Sequence, residues 1–364
     1  TMIPMAAYAQ GSETVLEYPN IDTTLDSRPA INYSDWNYTP VHDCEVIYGR
    51  SMDGTEHYFS FSTDQGSSTR TGVQIRKSDD LTTWQYVGQA FNATKDATTG
   101  EVTSNFPEGV TPNFNNNNQF TGVTFDDLNR GTNFWAPMVF YNEDDDYYYL
   151  YYCYSSFGNR NSNLGCAKSK YLDGGWEDQG IMIQTRTGDG KGFNAIDPMV
   201  FRDKDRNIWM VYGSFFKGIS VLRLNNDDPS KLLEPGTHGK CIARRDLFDY
   251  EIDDGTRFGL EGATINYIPE TGYYYLCLSY DFLGNTYNTR IARSKNPDGP
   301  YEDYNGNGMI YQEVDTERKN GTKILSSYSF NNDPYQGWMG TGHCTFFKAQ
   351  DGQWYLGHNS RPGV

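Results

Sequence analysis

The sequence predicts an all-β protein arranged as a five-bladed β-propeller, and two observations carry that prediction. Aromatic residues make up 15 % of the 364 residues, and aromatic and β-branched runs recur between turns rich in Gly, Asn and Asp. One pattern also repeats: a short apolar strand, a polar turn, an aromatic strand, and a third strand ending in Ser-Lys or Ser-Asp, as at 75–79, 166–170 and 291–295. Units of three to four strands at such regular spacing are typical of propeller blades with loop insertions.

The strands expected from this pattern follow one another through the chain. Each is a short run of apolar, aromatic and β-branched residues bounded by turn-forming residues. They lie at residues 45–48, 57–62, 73–78, 147–154, 165–169, 199–202, 208–212, 220–224, 264–267, 273–279, 289–293, 344–348 and 353–357. The tyrosine runs at 147–149 and 273–275 are interpreted as strand faces rather than binding sites.

The length of the chain allows either two domains or one large repeat architecture, since a single core rarely grows beyond about 250–300 residues. Turn residues are spread along the whole chain, so we expect one propeller domain over residues 33–364 after an N-terminal extension at 1–32. That extension opens with an apolar patch at 2–9 that lacks the basic residues of an intact signal peptide. Residues 91–133 carry few strand signals and are expected to form a surface insertion. A β-sandwich with long loops is the alternative fold.

Charge and composition exclude several classes of function. The formal net charge is −17 and no dense Lys/Arg cluster occurs, so nucleic acid is not an expected partner. No run of 18 or more apolar residues is present, so no membrane span is predicted. The 29 Tyr, 20 Phe and 7 Trp provide enough ring surface for a large core, which argues against disorder.

The six cysteines show no CxxC spacing, so a zinc site is not expected. Cys153 and Cys166 flank one predicted hairpin and could face each other, while Cys44 and Cys344 both follow residues at strand starts. We expect mostly free, buried thiols.

The starts of the first strands in successive blades converge on the central channel of a propeller. In this sequence three of the five predicted starts present a carboxylate, at Asp43, Asp197 and Glu261. Partly buried like charges raise one another's pKa and destabilise the fold, so stability alone does not explain them. Converging carboxylates suit glycoside hydrolysis, in which a protonated carboxyl assists the leaving oxygen and an ionised one activates water or attacks the sugar.

These residues belong to a longer series of motifs that resembles family 43 of the glycoside hydrolases, in its endo-α-1,5-L-arabinanase branch. The resemblance runs from about residue 40 to 362, and its order and spacing make it specific. The motifs are Val41-His42-Asp43, Phe134-Trp135-Ala136-Pro137, Ser155-Ser156-Phe157-Gly158, Asn194-Ala195-Ile196-Asp197-Pro198, Val211-Tyr212-Gly213-Ser214-Phe215, Leu260-Glu261-Gly262, Tyr287-Asn288-Thr289-Arg290 and Gly342-His343.

The resemblance implies an inverting hydrolase of arabinan or arabino-oligosaccharides on a five-bladed propeller. Asp43 would be the general base, Glu261 the general acid, and Asp197 the carboxylate that orients the acid and tunes its pKa. Inversion requires a separation of about 6.5–9.5 Å between the acid and base carboxyls, so that water fits between them. Longer relatives continue into a small C-terminal β-domain, which would be absent from this chain.

The resemblance also implies a calcium ion or similar cation in the channel, held by one imidazole nitrogen of His343 with waters completing the shell. The side-chain chemistry alone would not select calcium, because that ion prefers oxygen ligands.

Five further residues are candidates for binding the sugar. Aromatic rings suit the apolar face of a furanose, and polar side chains can bond its hydroxyls or tune a carboxyl. Each could instead have a purely structural role, as an aromatic ring of the core or as a side chain that bonds to a local turn. The candidates are Trp135, Phe157, Asn194, Ser214 and Arg290.

Two other functions remain open on the sequence alone. An exo-acting arabinofuranosidase or β-xylosidase would use the same fold with an end-blocked pocket instead of an open groove. A non-catalytic carbohydrate-binding propeller would be expected to lack one of the three carboxylates, and all three are present here. The acidic composition fits secretion, or a periplasmic or cell-surface location, for an enzyme that acts on a neutral polysaccharide.

Overall fold

The computed structural model describes residues 41–63, 72–125, 130–131, 133–245, 259–310, 320–329 and 337–362. Every regular element within these ranges is a β-strand. None of the described segments is a helix long and apolar enough to cross a membrane. The predicted N-terminal extension at 1–32 lies outside the described residues.

Sixteen strands form four antiparallel sheets, each of four strands paired in chain order. The first sheet holds β1 (Glu45–Arg50), β2 (Glu56–Ser62), β3 (Gln74–Ser78) and β4 (Gln85–Gln89), and the second holds β10 (Asn133–Asn142), β11 (Tyr147–Ser155), β12 (Ser162–Ser169) and β13 (Glu177–Thr185). The third holds β14 (Met199–Arg202), β15 (Ile208–Tyr212), β16 (Ile219–Arg223) and β17 (Lys240–Ala243), and the fourth holds β18 (Leu260–Ile268), β19 (Tyr273–Tyr280), β20 (Asn288–Ser294) and β21 (Thr322–Ser326).

A last group of three strands, paired in chain order, follows these sheets. It contains β22 (Tyr328–Ser329), β23 (Gly337–Lys348) and β24 (Trp354–Pro362). The first strands β1, β10, β14 and β18 contact one another in succession, as the inner strands of a propeller do. The all-β class and the propeller arrangement are therefore confirmed, with four complete four-stranded blades among the described residues.

The segment between β4 and β10 is more regular than its sequence indicates. It forms a two-stranded sheet of β5 (Ala93–Lys95) and β6 (Val102–Ser104), and a three-stranded sheet of β7 (Val110–Phe114), β8 (Phe120–Phe125) and β9 (Arg130–Gly131). The sequence gives few strand signals here because short strands rich in Thr carry little hydrophobic pattern. The ring of Phe91 packs at a tilt against Phe134 at 5.1 Å and against Phe106 at 6.4 Å, and these contacts anchor the insertion on the second sheet.

The core lies between neighbouring sheets and is largely aromatic. The tyrosine-rich strand β11 is buried at Tyr149, Tyr151 and Tyr152, which supports the interpretation of such runs as strand faces. Tyr152 fits because Gly165 stands opposite it in β12: a Cβ there would lie 2.4 Å from the phenol oxygen. Phe61 packs edge to face on Trp176 at 5.7 Å, joining the first sheet to the second.

All six cysteines are unpaired in this structure. Cys153 stands opposite Leu164, and Cys166 opposite Tyr151, so these two cysteines do not face each other across the hairpin. Cys344 contacts Cys277. Its thiol also shares a hydrogen bond with the Thr289 hydroxyl at 3.1 Å, in which either group can be the donor.

Candidate active site

Five residues at equivalent places in the sheets share an unusual backbone conformation. Their φ angles are positive: 52° at Asp43, 37° at Ala136, 56° at Asp197, 57° at Gly262 and 47° at His343. Four of the five are not glycine, and a left-handed backbone costs such residues about 1–2 kcal/mol each. In β10, β18 and β23 the strand register also shifts at this point, as in a β-bulge. The repeated bend places the side chains of Asp43, Asp197 and His343, and that of Glu261 beside Gly262, at one end of the sheets.

Four residues contact Asp43 and fix its position. Asn359 accepts a hydrogen bond from the Asp43 amide at 2.9 Å and donates to Oδ1 at 3.1 Å. Thr63 donates to Oδ2 at 2.6 Å. The Nδ1 atoms of His42 and His343 lie 2.8 Å and 3.1 Å from Oδ1. The carboxylate therefore has a fixed orientation, and 13 % of its side chain remains exposed.

These contacts determine the charge of Asp43. Burial raises its pKa, but the charges of His343 and His42 and the hydrogen bonds from His42 and Thr63 lower it more, so the pKa lies well below its ordinary value of 3.8. Burial lowers the pKa of His343, whereas the pKa of His42 is raised because the charge and hydrogen bond of Asp43 outweigh burial. Asp43 is thus an ionised carboxylate across the neutral pH range.

Asp197 and Glu261 form a second, linked unit. The amide of Gly262 donates to Oδ2 of Asp197 at 3.1 Å, so the residue that follows Glu261 is tied to Asp197. Ser214 donates to Oε2 of Glu261 at 2.7 Å, and Tyr287 donates to Oε1 at 2.9 Å.

The pKa values of Asp197 and Glu261 are raised, whereas that of Asp43 is lowered. Burial and the charges of Glu261 and Asp43 raise the pKa of Asp197 well above its ordinary value. Burial also raises the pKa of Glu261; the hydrogen bonds from Ser214 and Tyr287 oppose this, and the charge of Asp43 adds to it. The pair therefore keeps a proton at pH values where an exposed carboxyl has lost it.

The site combines an ionised carboxylate with a protonated carboxyl in electrostatic contact. Such a division between two environments is the arrangement that acid and base catalysis at one bond requires. The structure brings together four residues that the sequence nominated: Asp43, Asp197, Glu261 and His343. Ser214 joins them through Glu261.

His343 is the one candidate metal ligand, and the residues around it fit a hydrated cation better than a protein cage. Its amide donates to Ser279 Oγ at 2.7 Å, and its ring lies against Gly262, where a Cβ would be 2.9 Å from Nδ1. Since Nδ1 faces Asp43, Nε2 is the nitrogen left for a ligand. The described residues contain no group of three or more His, Cys, Asp or Glu side chains placed to hold a metal. Water would have to supply most of the shell.

The remaining sugar-binding candidates lie in different places. The rings of Trp135 and Phe157 meet edge to face at 6.3 Å, and Phe157 is 77 % exposed. Asn194 is buried, and Ser162 donates to its amide oxygen at 2.7 Å. Arg290 donates to Asn288 Oδ1 at 3.0 Å and to the Gly321 carbonyl at 2.9 Å, on the third strand of its sheet, where it lines a surface cavity of about 500 Å³.

Sequence reasoning missed Thr63 and Asn359, which hold Asp43. Thr63 also accepts a hydrogen bond from the Ala136 amide at 2.9 Å and so connects the first and second sheets. Both residues lie beside the start of a first strand, at or near the end of the strand that pairs with it. A polar residue at that position of an apolar strand is the signal that could have identified them.

Comparison with known proteins points to one family. The family model described as glycosyl hydrolases family 43 matches residues 108–363, a range that includes Asp197, Glu261 and His343 but not Asp43. The extracellular endo-α-(1→5)-L-arabinanase of Thermotoga petrophila is 33 % identical over 292 residues, which are 75 % of this chain and 53 % of the relative. The extracellular exo-α-(1→5)-L-arabinofuranosidase ArbA of Cellvibrio japonicus is 29 % identical over 300 residues, 79 % of this chain and 73 % of the relative. The chain spans about half the length of the endo-arabinanase relatives it matches.

Solved structures agree with this comparison. The crystal structure of the Thermotoga petrophila endo-1,5-α-L-arabinanase superposes with a TM-score of 0.65 and 27 % identity, covering 89 % of this chain and 68 % of that one. That of an exo-1,5-α-L-arabinanase from a bovine ruminal metagenomic library gives a TM-score of 0.60 and 28 % identity, covering 89 % of each chain.

Proposed function

The chain belongs to family 43 of the glycosyl hydrolases, and from this premise we propose that it hydrolyses α-1,5-linked L-arabinan from within the chain. The names of its endo-arabinanase relatives support the substrate. The proposed chemistry rests on three neighbouring carboxyls whose pKa values are shifted in opposite directions. The pKa of Asp43 is lowered from its ordinary value, and those of Asp197 and Glu261 are raised.

Asp43 is the proposed general base. Its carboxylate stays ionised and oriented, so it can take a proton from the water that attacks the anomeric carbon. Glu261 is the proposed general acid, which protonates the leaving oxygen as the glycosidic bond breaks. Asp197 contributes by repelling the negative charge on Glu261, which helps Glu261 hold its proton. Attack by water in a single displacement inverts the anomeric centre.

The test of these roles is hydrolysis of linear arabinan by Asp43→Asn and Glu261→Gln, with the anomeric form of the first product followed by NMR. General acid and base groups contribute roughly 10²–10⁴-fold each, so both variants should lose at least a hundredfold in kcat. Full activity in both variants would overturn the roles. A product that first appears with retained configuration would overturn the single displacement.

Exo action is the second candidate. It is supported by the names of two of the relatives, which describe them as exo-acting. The product profile on linear arabinan separates the two: release of monosaccharide alone would establish exo action, and a ladder of oligosaccharides would establish endo action.

The three-stranded group β22–β24 is proposed as the fifth blade. Its long strand β23 contacts both β18 and β1, which would close the ring of inner strands. His343 in this strand shares the positive φ found once at the head of each complete sheet.

A cation at His343 and a location outside the cell are further proposals. Nε2 of His343 would hold the cation, which would supply positive charge beside Asp43. Secretion is supported by the names of the arabinanase relatives, which describe them as extracellular.

A further inference from the structure

The loop at residues 281–287, between β19 and β20, presents an exposed ring at the same end of the sheets as the carboxylates. Phe282 at its tip is 57 % exposed. Tyr280 pairs with Leu260, and the Asp281 amide donates to the Gly259 carbonyl at 3.2 Å, so the loop begins beside the strand that carries Glu261.

This loop is rigidly built. Asp281 has a positive φ of 72°, and its carboxylate accepts hydrogen bonds from Arg245 at 2.7 Å and Asn288 at 2.9 Å. The carbonyl of Phe282 accepts from the amides of Thr286 and Tyr287 at 3.1 Å and 2.9 Å. An exposed aromatic on a fixed backbone loses little conformational entropy when a ligand covers it.

The ring of Phe282 has one supported face. It lies against the backbone of Gly284, where a Cβ would be only 2.4 Å from Cε1 of the ring. Glycine therefore allows the ring to rest on the loop and leaves its other side open to solvent. Single exposed apolar side chains are common on protein surfaces. The Phe282 ring differs from them because it packs on Gly284, stands on a hydrogen-bonded loop and lies beside the strand that carries Glu261.

The same loop fixes the position of Glu261. It ends at Tyr287, whose hydroxyl donates to Oε1 of Glu261 at 2.9 Å. The general acid protonates the leaving oxygen, so sugar units on the leaving side of the bond lie next to this carboxyl. Trp135 lies in β10 and Phe157 in the loop between β11 and β12 of the second sheet, whereas Phe282 lies in the loop between β19 and β20 of the fourth.

We propose that Phe282 is a stacking platform for an arabinofuranosyl unit beyond the first one on the leaving-group side of the scissile bond, a unit that a long substrate supplies and arabinotriose need not. This rests on the proposed hydrolysis of arabinan. Together with the Trp135–Phe157 pair, such a platform gives aromatic contacts on two sides of the carboxylates, as a chain that extends past both sides of the cleaved bond requires.

The experiment compares kcat/KM for arabinotriose and arabinohexaose in wild-type, Phe282→Ala and Phe282→Trp proteins. Tyr304→Ala is the matched control, since Tyr304 is an aromatic of the same sheet region that is 89 % exposed. Loss of the stacking contact in Phe282→Ala should lower kcat/KM for the hexaose roughly three- to tenfold. The triose should change less than twofold, Phe282→Trp should retain the wild-type preference, and Tyr304→Ala should change neither substrate.

The results separate this proposal from the one it rests on. Unchanged hexaose hydrolysis in Phe282→Ala would overturn the platform alone. An equal loss on both substrates would also overturn it, because that result indicates a disturbed Glu261 rather than a lost sugar contact. A wild-type protein without activity on any arabinan substrate would overturn both proposals.

Discussion

Ser214 donates a hydrogen bond to Oε2 of Glu261 over 2.7 Å, and the two residues come from different sheets. Ser214 follows β15 in the third sheet, on a loop where Phe215 and Phe216 both have positive φ. The position of the proposed acid is therefore set between blades rather than by its own strand. A hydroxyl that donates to a carboxylate favours the ionised form, so Ser214 restrains the upward shift of the Glu261 pKa.

Replacing Ser214 with Ala is expected to move the alkaline limb of the pH–rate profile to higher pH. Glu261 must be protonated to act, and the loss of a hydrogen bond that lowers its pKa raises that pKa further. The maximal kcat should fall because the acid is less well oriented. The measurement is kcat/KM on linear arabinan from pH 5 to 10.

Ser220→Ala is the control for this change, since Ser220 is a buried serine of the same sheet that donates to the His238 carbonyl instead. Its profile should keep the wild-type limb. A Ser214→Ala limb that moves to lower pH would contradict the assignment of Glu261 as the acid.

Replacing Thr63 with Val is expected to raise the pKa of Asp43 and to move the acidic limb of the profile upward. Thr63 donates to Oδ2 of Asp43 at 2.6 Å, and this bond is one of the contacts that lower the Asp43 pKa. A depressed carboxyl pKa gives stability that is fully present above the unfolded pKa of 3.8 and is lost as the pH falls through the folded pKa, so the variant should lose this stability at a higher pH than wild-type, within the range below about pH 4.

Thr63→Ser keeps the hydroxyl and should retain the wild-type acidic limb. Val also leaves the Ala136 amide without its acceptor, which should destabilise the protein by about 1–3 kcal/mol at all pH values. If the two variants show the same acidic limb, the hydroxyl does not tune Asp43.

Removal of bound cations tests the proposal for His343. Dialysis against a chelator should lower kcat severalfold, and added calcium should restore it. His343→Ala should contain no stoichiometric metal by elemental analysis and should respond to neither treatment. If elemental analysis shows that the wild-type protein has lost its metal and the protein still keeps full activity, a functional cation is excluded.

The sequence predicted which carboxylates converge more completely than it predicted the strands of the sheets. Asp43, Asp197 and Glu261 could be nominated because each stands at the start of a predicted first strand, and propeller geometry brings those starts together. His343 was nominated from the family resemblance. The outer strands β4 and β13 were not predicted, because an outer strand such as Gln85–Gln89 is half exposed and mainly polar.

The residues that form hydrogen bonds to the carboxylates from other strands were harder to predict. Asn359 lies 316 residues from Asp43, and Tyr287 lies 26 residues from Glu261. No local pattern links such pairs, since the contact depends on how two strands end in space. Arg290 stays a candidate, and its contacts with Asn288 Oδ1 and the Gly321 carbonyl likewise could not be read from its motif.

A buried carboxyl outside the proposed chemistry leads to the last prediction, which concerns stability. Glu45 follows Asp43 by two residues and accepts a hydrogen bond from Thr345 at 2.7 Å. Burial raises its pKa from 4.5 to about 8, against the lowering effect of that hydrogen bond. Between these two pH values the folded protein retains a proton that the unfolded chain releases. Stability should therefore fall as the pH rises from about 5 to 8.

Glu45→Gln should remove this dependence, because an amide oxygen still accepts from Thr345 and carries no proton to lose. Urea unfolding at pH 5 and pH 8 should show equal stability for the two proteins at pH 5. At pH 8 the variant should be more stable by about 1 kcal/mol or more, given 1.36 kcal/mol per pKa unit. Glu56→Gln, at an exposed position of β2, is the control and should keep the wild-type slope. A Glu45→Gln protein that loses stability with pH as steeply as wild-type would show that Glu45 is already ionised in the fold.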